Sequence, residues 1–280
     1  MPKARLAGKV AVVTGGGSGL GAALGRTFAG IGMSVAVLDI DEAAAKDVAS
    51  ALAGEFGVPT AALRVDVGDA ASVAAAARAV AARLGGCNIL CANVGVQQLG
   101  AIDRLTEQDW QWVLNVNVLG IVRTVREFLP LIRSGTGQRC IVLTASSSVL
   151  APSIRLGAYQ TSKFAVMGFG ETLREDLADD GIGVTILFPA GMVTRHLESS
   201  ARARPAELGP TAVDPDDLTA MLAHSPLAAE DLATPDYAVR NLVEALVLGE
   251  PYLVTHGSFR AAYRRRRDAM DAAFDRMERS

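Results

Sequence analysis

Tyr159 and Lys163 stand four residues apart in Tyr159-Gln160-Thr161-Ser162-Lys163, a spacing that puts both side chains on one face of a helix. An ammonium held beside a phenol favours the phenolate, drawing a group whose ordinary pKa is about 10 towards a useful range. A phenol tuned in this way can exchange a proton with a hydroxyl. The cation usage points the same way. Of 27 lysines and arginines only four are lysine, at positions 3, 9, 46 and 163, so Lys163 is the only lysine after residue 46. A lone lysine beside a tyrosine reads as a need for a compact ammonium rather than a planar fork. Taken alone, the pair would equally be a surface feature.

A second constellation lies near the start, in Thr14-Gly15-Gly16-Gly17-Ser18-Gly19-Leu20-Gly21. It follows a β-branched run and opens a helical pattern, so free backbone N–H groups and the positive end of a helix dipole face the turn. That is a cradle for a pyrophosphate. Gly15 permits the tight turn, Gly19 removes a side chain where phosphate approaches, and Gly21 lets the helix lie close to the sheet. About twenty residues on, Leu38-Asp39-Ile40 places a carboxylate where an adenosine ribose would sit. An acid there accepts from both ribose hydroxyls and repels a 2′-phosphate, which favours NAD over NADP. Asp66-Val67, Asn93 and Gly95 continue the same edge, though each read singly is a turn residue.

The elements that must position these groups follow from hydrophobic patterning. Short runs at Val10–Thr14, Ser34–Ile40, Thr60–Val65, Asn88–Ala92, Arg139–Ala145 and Val184–Pro189, with Tyr252–Thr255 as a seventh, alternate with Ala-rich helical segments. The helical segments fall at about 18–32, 42–56, 69–85, 106–133, 157–179 and 235–249, with Asp69 and Thr106 as N-caps. Nearly continuous hydrophobic runs between helices predict a seven-stranded parallel sheet covered on both faces. The fold class is therefore α/β, a single doubly wound Rossmann-type domain over residues 1–280. Prolines at 205, 210, 215, 226 and 235 interrupt the rhythm over about 190–235, which reads as a lid insertion. A helical extension at about 257–280 carries Arg264, Arg265, Arg266 and Arg267 and reads as an exposed amphipathic helix with a solvated face.

Half of the 280 residues are apolar, 20% are charged, and the net charge is -3. That composition gives ample core and no general affinity for polyanions, so nucleic acid is excluded as a partner. No apolar run reaches membrane-spanning length and no secretory leader is visible, which reads as a cytoplasmic protein. Cys87, Cys91 and Cys140 have neither redox nor zinc spacing, and His196, His224 and His256 are scattered, so no metal site is expected.

These motifs, in this order, resemble the classical short-chain dehydrogenase/reductase family from about Lys9 to Thr255. The matching elements are TGGGSGLG at 14–21, Asp66-Val67, CANVG at 91–95, Asn117 in NVNVLG, Ser146, and YQTSK at 159–163. The resemblance implies a catalytic set of Asn117, Ser146, Tyr159 and Lys163. Tyr159 would be the general acid and base, Lys163 would lower its pKa and hold the nicotinamide ribose, and Ser146 would orient the substrate oxygen. Asn117 would hold a water linking the lysine to solvent. Ser147 and Ser148 compete for the serine role, but Ser146 lies thirteen residues before Tyr159. Asn115 is the rival asparagine. Cofactor contacts are implied at Gly15, Gly17, Ser18, Gly19, Leu20, Gly21, Asp39, Asp66, Val67, Asn93, Gly95, Tyr159, Lys163, Pro189 and Thr194. The family pattern is altered at Ala92-Asn93 and at Pro189-Ala190.

The reaction so implied is hydride transfer between NAD and a secondary alcohol or ketone, with the protein supplying orientation and a tuned proton. Val96, Gln97, Leu99, Val149, Leu150 and Ile154 would floor a mostly apolar pocket, with Met192, Leu197, Met221 and Leu222 above, which favours a hydrophobic substrate. Arg195 and His196 would meet any polar tail. An NADPH-dependent ketone reductase and a catalytically silent dinucleotide-binding protein are the alternatives. Family resemblance also implies a homo-oligomer, dimer or tetramer, assembled through the helices at 106–133 and 157–179.

Overall fold

The computed structural model describes residues 5–192, 196–210, 213–225 and 232–279. Seven parallel strands form one sheet in the order β3-β2-β1-β4-β5-β6-β7. They are β1 (Val10–Thr14), β2 (Ser34–Asp39), β3 (Thr60–Arg64), β4 (Ile89–Ala92), β5 (Cys140–Thr144), β6 (Gly183–Phe188) and β7 (Tyr252–Val254). The order reverses between β1 and β4, where Val12 pairs with Ala36 on one side and Leu90 on the other. Crevices that hold ligands in open α/β sheets lie at such a switch point, outside the carboxyl ends of the strands.

The strands are buried on both faces because their alternate side chains enter two separate apolar layers. Val12, Leu38, Leu90 and Leu143 pack with Phe128 and Val80 on one face, whereas Val13, Val37, Cys91 and Val142 pack with Leu24, Phe28 and Leu242 on the other. The helices between the strands are α1 (Gly19–Ala29), α2 (Glu42–Phe56), α3 (Ala70–Leu84), α4 (Glu107–Leu114), α5 (Gly120–Ser134) and α6 (Gly157–Asp176). Asp69 caps α3 by accepting from the Ala71 N–H, and Thr106 forms a reciprocal capping box with Asp109 at α4. The three cysteines are free and buried in these layers, and burial pushes their thiols up, away from reactive thiolate.

The structure refines the sequence reading in three segments. The segment 106–133 is helical throughout but carries a π-turn at Asn115–Leu119 between α4 and α5. The segment 235–249 is two short helices, α9 (Pro235–Ala238) and α10 (Leu242–Leu248). Within 190–235 the structure forms α7 (His196–Ala203) and α8 (Pro215–Ala223). The chain closes with α11 (Arg260–Glu278). Among the described residues no helix is long and apolar enough to cross a membrane.

Candidate active site

The glycine turn begins where β1 ends. Gly15 has φ +65° and Gly19 φ +49°, values at which a side chain is strained. The Gly16 N–H donates to the Leu38 carbonyl at 3.1 Å, joining the turn to β2. A Cβ on Gly21 would sit 1.9 Å from the Gly15 carbonyl oxygen, so glycine alone lets α1 start so close to the strand. Ser18 caps α1 with extended backbone, and its side chain makes no capping bond. The first N–H groups of α1 thus keep the orphan donors of a helix N-terminus. The cradle fits a pyrophosphate.

Asp39 stands beside this turn at the end of β2. Its Oδ2 accepts from the Gly17 N–H at 2.9 Å and its Oδ1 from the Asp41 N–H at 3.0 Å, which fixes the carboxylate with lone pairs to spare. Asp66 closes its own turn by accepting from the Gly68 N–H at 2.8 Å. Val67 is buried against Gly120, where a Cβ would come within 2.7 Å of its side chain. Asn93 ties three strands together: its Nδ2 donates to the Thr14 carbonyl, and its Oδ1 accepts from the Thr144 hydroxyl at 3.0 Å. Its carboxamide is a clamp across the switch point.

The catalytic candidates converge at the ends of β4 and β5. Lys163 is buried, and its Nζ donates to the Thr144 carbonyl at 2.9 Å and lies 5.5 Å from the centre of the Tyr159 ring. A Cβ on Gly95 would meet that Nζ at 3.1 Å, so Gly95 clears the space through which the ammonium reaches. Ser146, at the mouth of β5, lies near enough to Tyr159 for its hydroxyl to pull the phenol's pKa down. The Ser146 Oγ accepts from the Ser148 N–H at 3.1 Å. Pro189 accepts from the Ser147 N–H at 2.8 Å and so joins the β5 and β6 ends. Thr194, like Arg195, lies outside the described residues.

Electrostatics differ from the sequence expectation in one respect. Burial pushes the Tyr159 phenol above its usual value, and the Ser146 hydrogen bond pulls it back only in part. Burial also pulls Lys163 down to about 8. Both charged forms cost desolvation here, so the lysine's pull does not bring the phenol below its usual value.

Asn117 stands on the π-turn, buried. Its Oδ1 accepts from the Val96 N–H at 2.8 Å, and its Nδ2 donates to the Val96 carbonyl at 2.8 Å and to Ser162 Oγ at 2.9 Å. The carboxamide is therefore a clamp between the π-turn and the β4 loop at Val96, next to Gly95, and its Oδ1, like the Lys163 Nζ, borders the space a Cβ on Gly95 would take. Asn115 instead places its Nδ2 3.5 Å from the Gly68 carbonyl.

Several expected pocket residues lie in the interior. Val96, Leu99 and Val149 are buried, Val96 against Trp112, because the loops that carry them fold inward as core. Leu222 and Ile154 are exposed. His196, on the first turn of α7, does face the site: its ring lies edge-on to Tyr159 at 6.2 Å. Burial and the nearby Lys163 charge bring this imidazole down to about 4, so it is neutral near pH 7. A sequence reading misses the ion pairs that dock α7 and α8. Arg204 meets Asp109 at 2.7 Å with both side chains 8% exposed, donates to Gln98 Oε1, and lies over Trp112. Asp217 receives Arg104 at 2.5 Å and Arg155 at 2.8 Å. The Thr106-x-x-Asp109 capping box was the visible trace of Asp109, but nothing in the sequence marks its cation.

A family model described as short chain dehydrogenase matches residues 9–205. The chain belongs to that family. It is similar to D-threitol dehydrogenase of Mycolicibacterium smegmatis, 36% identical over 191 residues, 68% of this chain and 72% of that one. It is also similar to probable oxidoreductase EphD of Mycobacterium tuberculosis, 38% identical over 178 residues, 63% of this chain and only 30% of that longer protein. Among solved structures, a short chain dehydrogenase/reductase from Burkholderia phymatum in complex with NAD superposes with a TM-score of 0.86 at 31% identity, covering 96% of each chain. Membership of the short-chain dehydrogenase family makes this a chain of the oxidoreductase class with a Rossmann-like sheet.

Proposed function

We propose that the protein is an NAD-dependent oxidoreductase that transfers a hydride between the nicotinamide and a hydrophobic secondary alcohol or its ketone. The observation that carries this reading is the convergence of Ser146, Tyr159 and a fully enclosed Lys163 at the switch-point edge, beside the glycine turn. A bound nicotinamide supplies the hydride acceptor or donor, and the chain supplies the rest. Gly15, Gly17, Ser18, Gly19, Leu20 and Gly21 would hold the pyrophosphate at the N-terminus of α1. Asp39 would accept from the ribose hydroxyls and disfavour a 2′-phosphate, with Asp66 and Val67 beyond it. Gly95, Pro189 and Thr194 would border the nicotinamide end.

In oxidation the substrate hydroxyl loses its proton to Tyr159 Oη while Ser146 Oγ donates to the same substrate oxygen. Lys163 stabilises the phenolate from beneath. Asn117 acts by holding the β4 loop and α6 together, which keeps Gly95 and Lys163 in register. The segment built from α7 and α8 is the lid over this site.

A panel of secondary alcohols with NAD or NADP, followed by absorbance of the reduced cofactor, tests the reading. NAD-linked turnover that falls by about 10³-fold in Tyr159→Phe, with unchanged dinucleotide affinity, is expected. Dinucleotide binding with no turnover on any alcohol or ketone would leave a silent binding protein. A second reading, a polyol substrate, has His196 in its favour. That neutral ring beside Tyr159 can donate or accept a hydrogen bond to a second hydroxyl, and D-threitol dehydrogenase is among the relatives. Higher kcat/KM on D-threitol than on alicyclic alcohols, lost in His196→Phe, would favour it.

A further inference from the structure

We propose that Arg266, in the C-terminal helix α11, is a positioning residue for Ser146: it pins the turn that carries the serine against the helix that carries Tyr159 and Lys163. This rests on the reaction proposed above for its kinetic consequence, but not for its structural one.

Ser146 leads into a single 3-10 turn, Ser147–Val149. Inside the turn the Ser148 N–H donates to Ser146 Oγ, the Val149 N–H to the Ser146 carbonyl at 3.1 Å, and the Leu150 N–H to the Ser147 carbonyl at 2.9 Å. The Ser148 bond occupies a lone pair of the serine and leaves its O–H to point at Tyr159 or a substrate oxygen. The hydroxyl's aim therefore depends on the turn staying closed. A single short turn has little cohesion of its own.

Arg266 supplies it from outside. Its Nη1 donates to the Val149 carbonyl, and its guanidinium lies 5.0 Å from the centre of the Phe164 ring, the residue directly after Lys163. One side chain thus touches the serine turn and the catalytic helix. The root of α11 is seated on the same loops. Phe259 is buried with Ala151 and Ala190, and Ala262 and Leu150 pack against that cluster. Beyond Arg266 the described part of α11 is exposed except for Ala272. Of the four consecutive arginines, Arg264, Arg265 and Arg267 are exposed, and Arg267 pairs with Asp268 and Asp271 of its own helix.

The test compares Arg266→Ala and Arg266→Met, the latter keeping a long stem over Phe164, with Arg265→Ala as the neighbouring control. Amide hydrogen exchange of residues 147–151 in the full chain is the first readout. Exchange about tenfold or more faster in both Arg266 variants, with Arg265→Ala unchanged, is expected from loss of a charge-assisted bond. Turnover should drop by about tenfold with dinucleotide affinity and substrate KM nearly unchanged, since the serine is misaimed and not removed. A chain ending at residue 268 should behave as the wild type in both measurements. Unchanged exchange in folded Arg266→Met, or equal losses in Arg265→Ala, would overturn the proposal. Faster exchange alongside a wild type that turns over no alcohol would keep the clamp and discard the proposed reaction.

Discussion

Along the carboxyl edge of the sheet, the glycine turn and the α7–α8 segment are held by different forces. The turn is enforced by hard contacts: a Cβ on Gly21 would collide with a carbonyl at 1.9 Å, and β1 beneath it is buried along its whole length. In α7 and α8 the buried residues are Ser200 and Asp217, both polar. That segment is docked by Arg204 on Asp109, by Arg104 and Arg155 on Asp217, and by the Gln97 N–H on Ser200 Oγ. Steric packing is insensitive to solvent, whereas ion pairs are oriented, separable and weakened by salt. A preformed cradle beside a polar-latched segment would suit the proposed enzyme, which keeps its cofactor site rigid and lets substrate pass.

The contrast is tested most severely at the turn. Gly21→Ala is expected to abolish dinucleotide uptake in a fluorescence titration. Gly168→Ala, in α6 where a Cβ would meet open space, should bind normally and gain roughly 0.5–1 kcal/mol of stability. Equal binding by both variants would show that the turn is not sterically determined.

At the latch, Arg204→Ala leaves Asp109 buried without its cation and should cost about 3 kcal/mol in chemical denaturation. Burial alone would raise the Asp109 carboxyl. Hydrogen bonds from Thr106 and Arg204, with the Arg204 charge, more than offset this and leave it below its usual value. A depressed carboxylate stabilises the fold above its unfolded pKa and loses that contribution as the pH falls through the folded one. The stability gap between wild type and Asp109→Asn should accordingly narrow on acidification below about pH 4.

Between the two regions sit Tyr159 and Lys163, the proposed catalytic pair. Oxidation needs the Tyr159 phenolate beside a charged Lys163, so its rate should gain roughly tenfold per pH unit while the phenol is losing its proton and level off above about 8, where Lys163 loses its charge. Ketone reduction needs that proton and should fall over the same range. Lys163→Arg, charged throughout, should remove this limb from the profile. The smallest effect is expected at the outer latch: Arg104, 54% exposed, should lose no more than about 1 kcal/mol on replacement by Ala, with the difference vanishing at high salt.

Much of this was legible beforehand, and the failures have physical causes. Strand positions match because parallel strands covered on both faces must be continuous apolar runs. The caps at Asp69 and Thr106 match because capping is local chemistry. The π-turn at Asn115–Leu119 left no mark, since it is held by the Asn117 carboxamide on Val96 and by Arg123 on the Asn115 and Val67 carbonyls. Val96 and Val67 are distant from the turn in sequence. Val96 and Val149 read as pocket lining because an apolar residue in a loop looks alike whether it lines a cleft or fills a core. Arg266 is indistinguishable from its three neighbours until the angle at which α11 docks is known.

Local rules therefore account for the parallel sheet, the glycine turn, Asp39 at the end of β2, and the helical spacing of Tyr159 and Lys163, because strand burial, backbone sterics and helix periodicity act within a few residues. The partners of those groups came from three dimensions: Thr144 for Lys163, Val96 for Asn117, Asp109 for Arg204 and Val149 for Arg266. Each such pairing joins residues whose approach depends on how whole elements pack, and packing is a property of the assembled layers that no short stretch of chain encodes.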